Sequence, residues 1–139
     1  MLQPIDIFGG VAVSGSNTYK SLVSRQNKRH FYGPSTTGDA AGALSREVNL
    51  LSDIAYETAL AAVLAAHPTY TPAQVEAANT TGWVSQSFLQ SDVTNSGATI
   101  AMAAAASFTA NMPPGPPRSR LSYVNSSGTG NLSCLLALS

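Results

Sequence analysis

Apolar residues alternate with others at Ile5 and Ile7, and again at Val11 and Val13 beyond the turn-permitting pair Gly9-Gly10. This pattern predicts a short β-hairpin or extended arm at the start of the chain. From Asn17 the spacing changes: Tyr19, Leu22 and Val23 stand at i, i+3 and i+4, as in a short helix capped by Ser16 or Asn17, with a basic strand as the competing reading. Gly33 to Gly42 has the composition of a loop. Leu44, Val48, Leu51, Ala55 and Ala62 then recur at helical spacing beside a second stripe of Leu50, Ile54, Ala61 and Leu64. Together they predict a helix from about Ala43 to Ala66, ended by His67-Pro68.

Thr71-Pro72-Ala73-Gln74 reads as a helix start, with threonine at the N-cap, proline at N1 and glutamine where a capping box needs it. The helix runs to about Ala78. Gly82 interrupts it, and Trp83, Val84, Phe88 and Leu89 resume a helical pattern that fades at Asn95-Ser96-Gly97. Ala98 to Ala110 has high helix propensity and almost no polar face. Met112 to Pro117 is a stiff, extended connector. Arg118 to Val124 and Leu132 to Leu138 then predict two short strands around Asn125 to Gly130, with Leu121 and Tyr123 on one face. The expected fold is α+β: an N-terminal extended arm or β-hairpin, a central helical body of about three helices, and a C-terminal short β-hairpin or arm after a Pro-rich hinge. Residues 1–111 form the body with its arm, 112–117 the connector, and 118–139 a β-arm suited to docking on a neighbour by strand addition.

Charge sharpens this picture. The chain has 139 residues, enough for one domain with one core, and its single cysteine, Cys134, forms no internal bridge. Charged residues make up 10%, against about a quarter in an ordinary soluble domain. Between Thr58 and Pro117 there is no lysine or arginine, and Glu76 and Asp92 are the only carboxylates. So few charges are accounted for if other copies or a partner cover much of the surface, where charge would be costly to bury. A formal net charge of zero removes global basicity as an argument for nucleic acid and weakens repulsion between copies. The first fifteen residues do not read as a signal peptide, and the apolar run Ala59 to Ala66 is too short to span a bilayer. The expectation is a soluble chain made in the cytoplasm, with no membrane partner.

The one concentration of charge is Lys20, Arg25, Lys28 and Arg29 with His30, beside Tyr19, Phe31 and Tyr32. Lys20, Arg25, Lys28, Arg29 and Tyr32 are the candidate nucleic-acid contacts, since cations hold phosphates and aromatic rings stack on bases. The competing reading, a solvated face or a patch paired with Asp39, Glu47, Asp53 and Glu57, weighs more because four positive charges in a neutral chain give a weak field. His30, His67 and Cys134 are the residues a small enzyme or ligand-binding domain would use. None stands at metal-ligand spacing, and Cys134 in an alternating strand reads as a small buried hydrophobe. Walker, dinucleotide and Gly-x-Ser-x-Gly patterns are absent, so no catalytic, cofactor or metal residue is expected. The sequons at Asn79, Asn125 and Asn131 are what so much Asn, Ser and Thr gives by chance. The candidate subunit-interface residues are Leu60, Val63, Leu64, Trp83, Phe88, Met102, Phe108, Leu121 and Tyr123.

Low charge, an alanine-rich body and extended ends resemble, in style, a small viral or phage virion protein such as a coat, decoration or tail subunit. The resemblance implies a non-catalytic structural protein that assembles with itself as a homo-oligomer, shell or filament. Packaged nucleic acid would be a second partner and the virion its place.

Overall fold

The computed structural model describes residues 4–25, 28–90, 99–102, 110–112 and 118–138. In chain order the elements are β1 (Ile5–Asp6), β2 (Val11–Ser14), β3 (Thr18–Lys20), β4 (His30–Thr36), β5 (Ala41–Asn49), α1 (Asp53–Ala66), α2 (Pro72–Ala78), β6 (Trp83–Gln86), β7 (Leu89–Gln90), β8 (Thr99–Met102), β9 (Ala110–Met112), β10 (Arg118–Ser127) and β11 (Thr129–Leu138). They form two antiparallel sheets. The first runs β1-β11-β4-β9-β7 with β2 also on β11; the second runs β3-β10-β5-β6 with β8 also on β5. The expected three-helix body is therefore corrected to a mostly β fold with two short helices among the described residues.

Both sheets are built around one bent ribbon. β10 pairs with β5 from Arg118↔Asn49 to Ser127↔Ala41, and β11 pairs with β4 from Leu132↔Thr36 to Leu138↔His30. Only Gly128 separates β10 from β11, so the ribbon crosses from one sheet to the other at a corner. The corner admits no side chain. A Cβ on Gly128, whose φ is +75°, would lie 2.1 Å from the Asp39 carbonyl oxygen, and one on Gly130 would lie 1.8 Å from that of Thr37. Asn125 pins the crossing: its Nδ2 donates to the carbonyls of Gly15 (2.8 Å) and Gly128 (3.1 Å), while its Oδ1 accepts from the Tyr123 hydroxyl (2.8 Å). The C-terminal segment is thus no hairpin arm. Its two strands are interior members of different sheets, and Leu121, Tyr123, Leu132, Cys134 and Leu136 meet Tyr32, Leu44, Phe88, Ile100 and Met102 in the core between them.

The N-terminal segment is not a hairpin either. β1 and β2 do not pair with each other; they lie successively along the same edge of β11. The chain around Gly9-Gly10 bulges out between them, held by the Asp6 carboxylate, which accepts from the N–H groups of Phe8 (3.1 Å), Gly9 (2.8 Å) and Cys134 (3.0 Å).

A further expectation changes because of one side chain. Leu44 and Val48 are four apart, which suits a helix, but in β5 they share a face with Arg46, and all three point inward. A buried arginine hides the period-2 signal at the position where an apolar residue would have shown it. The predicted helix of Ala43 to Ala66 is consequently a strand followed by α1, which starts where the Ser52 hydroxyl accepts from the Ala55 N–H (3.3 Å). Trp83 to Gln86 and Leu89–Gln90, expected as helix, are strands, and Thr99 to Met102 is a strand that buries Ile100 and Met102. Residues 103–109, the rest of the alanine-rich helix prediction, and 113–117, the proline-rich connector, lie outside the described residues. Tyr19 belongs to β3 rather than to a helix, and the expected loop of Gly33 to Gly42 is strand at 33–36, in β4, and at 41–42, in β5. α2 forms as read, with both hydrogen bonds of the Thr71–Gln74 capping box and Pro72 in its first turn.

Candidate functional site

Alternation along β10 sends Leu121 and Tyr123 into the core and Arg118 and Arg120 to the opposite face, where α1 and α2 lie. Arg120 is the center of this second layer. Its Nε donates to Glu47 (2.8 Å), its Nη1 to the Glu76 carbonyl (2.6 Å) and its Nη2 to the Asn79 carbonyl (3.0 Å), while its guanidinium lies 4.0 Å above the Trp83 ring. The two carbonyls belong to the last turn and cap of α2, groups that lack helix partners and accept well from a cation. Arg118 ties the start of α1 to the sheet by different contacts. It donates to Asp53 (2.6 Å) and to the Leu51 carbonyl, and it lies 4.5 Å above the Tyr56 ring.

Tyr56, Glu76 and Arg25 complete the layer. The Tyr56 hydroxyl donates to Glu76 (2.8 Å), whose other carboxylate oxygen accepts from Arg25 (3.0 Å). Burial, the hydrogen bond to Glu76 and the Glu76 charge hold the Tyr56 phenol well above the ordinary tyrosine range. Burial acts against the Glu47 carboxylate, but hydrogen bonds and charge from Arg120 and then Lys20 outweigh it and hold its pKa below the usual glutamate value.

Of the candidate nucleic-acid contacts, Lys20 is paired with Glu47 (3.1 Å) and Arg25 with Glu76, whereas Lys28 is exposed and Arg29 half-buried. Tyr32 lies in the core. Its hydroxyl accepts from Arg46 Nε (3.0 Å) and sits 2.9 Å from His30 Nδ1, and Arg46 reaches Gln86 as well. Arg46 is 1% exposed, and no carboxylate among the described residues pairs with it. Tyr32 is thus buried, Lys20 and Arg25 are ion-paired within the chain, and Lys28 faces solvent.

His30, His67 and Cys134 are not brought together. His30 is buried in β4. His67 caps the exposed end of α1 with its ring stacked on Tyr70 (4.4 Å), and Cys134 is buried in β11 opposite Pro34. Burial, with the Asp6 carboxylate adding to it, pushes the Cys134 thiol up to about 12, so it stays protonated. Among the described residues, no group of three or more His, Cys, Asp or Glu side chains converges as a metal site, and no helix is long and apolar enough to cross a membrane.

The candidate interface residues divide in the same way. Phe88, Met102, Leu121 and Tyr123 fill the core, Trp83 lies under Arg120, and Phe108 is outside the described residues. Leu60 and Val63 are half-buried on α1, and Leu64 is exposed. Sequence reasoning passed over the most exposed apolar side chains of this region, Ile54 at 83% and Leu50 at 64%. Their helical spacing suggested burial, and only the position of α1 on the outside shows otherwise. Leu60, Ala61, Leu64, Tyr70, Pro72 and Val75 line an open groove of about 420 Å³ between the helices, with Arg25, Glu57 and Glu76 at its rim. No family model, no curated protein and no solved structure matches the chain.

Proposed function

We propose that this protein is a self-assembling structural subunit without a catalytic role, of the kind that builds a virion as a coat, decoration or tail component. The observation that carries this reading is α1, a helix on the outside of the molecule that leaves Ile54 and Leu64 in solvent, with Leu50 just before it. Contiguous apolar patches mark contact sites, and Ile54, Leu64 and Leu50 supply exposed apolar side chains from which such a patch would be built. Internal use of the charges supports the same reading. Lys20, Arg25, Arg118 and Arg120 are spent on Glu47, Asp53 and Glu76 within the subunit, which leaves little to repel a second copy. The dispersal of His30, His67 and Cys134 favours a structural over a catalytic role.

Light scattering after size exclusion, with electron microscopy of the same fractions, tests the proposal. Regular assemblies of many copies are the expected result, and a monodisperse monomer at high protein concentration would sink it. Repeating the measurement with added single-stranded RNA across a salt series shows whether packaged nucleic acid takes part, through an assembly yield that falls as salt rises.

A further inference from the structure

We propose that His30, Tyr32 and Arg46 form an acid-sensitive latch between the two sheets, closed while His30 is neutral and broken when its Nδ1 takes up a proton from solvent. The cluster straddles the interior. His30 and Tyr32 come from β4 in the first sheet, whereas Arg46 comes from β5 in the second and reaches Gln86 on β6 beside it. All three members are buried, with Arg46 and His30 each 1% exposed. The His30 ring also meets the Tyr32 ring edge to face at 5.7 Å, and Tyr32 meets Phe88 in the same way at 6.1 Å, so the latch is packed into the core rather than set on its rim.

The hydrogen bonds fix where the protons are. A guanidinium only donates, so Arg46 Nε donates to the Tyr32 hydroxyl (3.0 Å) and Arg46 Nη2, 3.2 Å from His30 Nδ1, requires a lone pair on that nitrogen. The Tyr32 hydroxyl stands 2.9 Å from the same Nδ1 and gives it a second donor. Burial holds the Tyr32 phenol above the ordinary tyrosine range, so that proton stays available. His30 Nδ1 is thus an acceptor, and the imidazole is neutral. A proton there would turn it into a donor facing two donors, and would set a second positive charge 3.2 Å from a guanidinium that no described carboxylate pairs with. Of the other polar side chains that meet the cluster, Gln86 on β6 and Ser119 on β10 are neutral, and the Cys134 thiol on β11 stays protonated. Met112 of β9 and Leu138 of β11 stand opposite His30 in register and bring no charge. In the unfolded chain nothing opposes the proton, and His30 takes it up near about pH 6.5. The latch therefore stabilises the fold fully above that value and is lost as pH falls below it.

Urea unfolding of the full-length protein at one fixed concentration tests the latch. Between about pH 7.5 and about pH 5.5 the folded-to-unfolded ratio of the parent is expected to fall about tenfold, a window above the range in which carboxylates titrate. His67→Gln should show the same fall, since that ring lies on the exposed end of α1 against Tyr70. His30→Asn, whose amide oxygen stands in for Nδ1 as an acceptor that takes no proton, should change by less than about twofold over the same window, whatever its stability at the upper pH. Nitrogen resonances of the histidine rings in the parent protein give a reading that needs no variant to fold. His30 should keep the signature of a neutral imidazole in the folded protein at about pH 5.5. A flat parent profile, an undiminished fall in His30→Asn, or an imidazolium signature at His30 in the folded protein would overturn the latch.

Discussion

β10 separates two layers built on different physics. On one side Leu121 and Tyr123 enter an apolar core whose cohesion depends on volume; on the other Arg118 and Arg120 hold two helices through directed hydrogen bonds to carboxylates, backbone carbonyls and ring faces. The core joins the two sheets, whereas the ionic layer joins the helical pair to one sheet. The difference teaches where the few charges of this chain have gone. Much of its ionic chemistry is internal, and the exterior of α1 leaves Ile54 and Leu64 in solvent beside the carboxylates Asp53 and Glu57.

The largest effect should come from Arg120→Ala. It strips Glu47 of its main partner, leaves the Glu76 and Asn79 carbonyls without their donor, and should lower stability by about 4 kcal/mol in urea unfolding. Hydrogen exchange should show the loss concentrated in α1 and α2, with β4 and β11 still protected. If protection fell equally everywhere, the two layers would not be separable. Leu121→Ala should cost somewhat less, about 3 kcal/mol, and spread across both sheets because it opens a cavity between them.

The smallest effect is a pH dependence confined to the ionic layer. Since the folded state holds Glu47 below its unfolded pKa, its contribution is present above the ordinary glutamate range and is lost as pH falls through the folded value. Thermal midpoints should therefore drop on acidification below about pH 4.3. The drop should be smaller in Arg120→Ala, and an identical acid profile would show that Glu47 is not the responsible group.

What was legible in the sequence follows this division. The capping box of α2 was readable because its signal is local, carried by Thr71, Pro72 and Gln74 alone. The strand character of Arg118 to Val124 and the burial of Cys134 were readable from alternation. β5 was not, because Arg46 stands where an apolar residue would have marked the period, and the charge that betrays a surface in most chains here sits inside. Nor was the sheet crossing visible. Gly128 and Gly130 look like hairpin turn residues, and only the partners across the corner, Asp39 and Thr37, show that they serve close approach of two backbones. Arg118 and Arg120 carried a signal that went unused: an Arg-Ser-Arg repeat before Leu-Ser-Tyr places both cations on one face of a strand. The exposure of Ile54 had no local signal at all.

The bent ribbon has a kinetic consequence. A chain grown only as far as Pro117 lacks an interior strand in each sheet, since β10 and β11 supply both, and contacts such as the Leu121 N–H to the Ser21 hydroxyl span 100 positions. Closing loops that long before any reward makes folding slow and late, with unpaired edges of β4 and β5 exposed meanwhile. Nascent fragments would then be prone to sticking to one another out of register, and a cell making this protein in quantity would gain from a chaperone that shelters those edges until the final strands arrive.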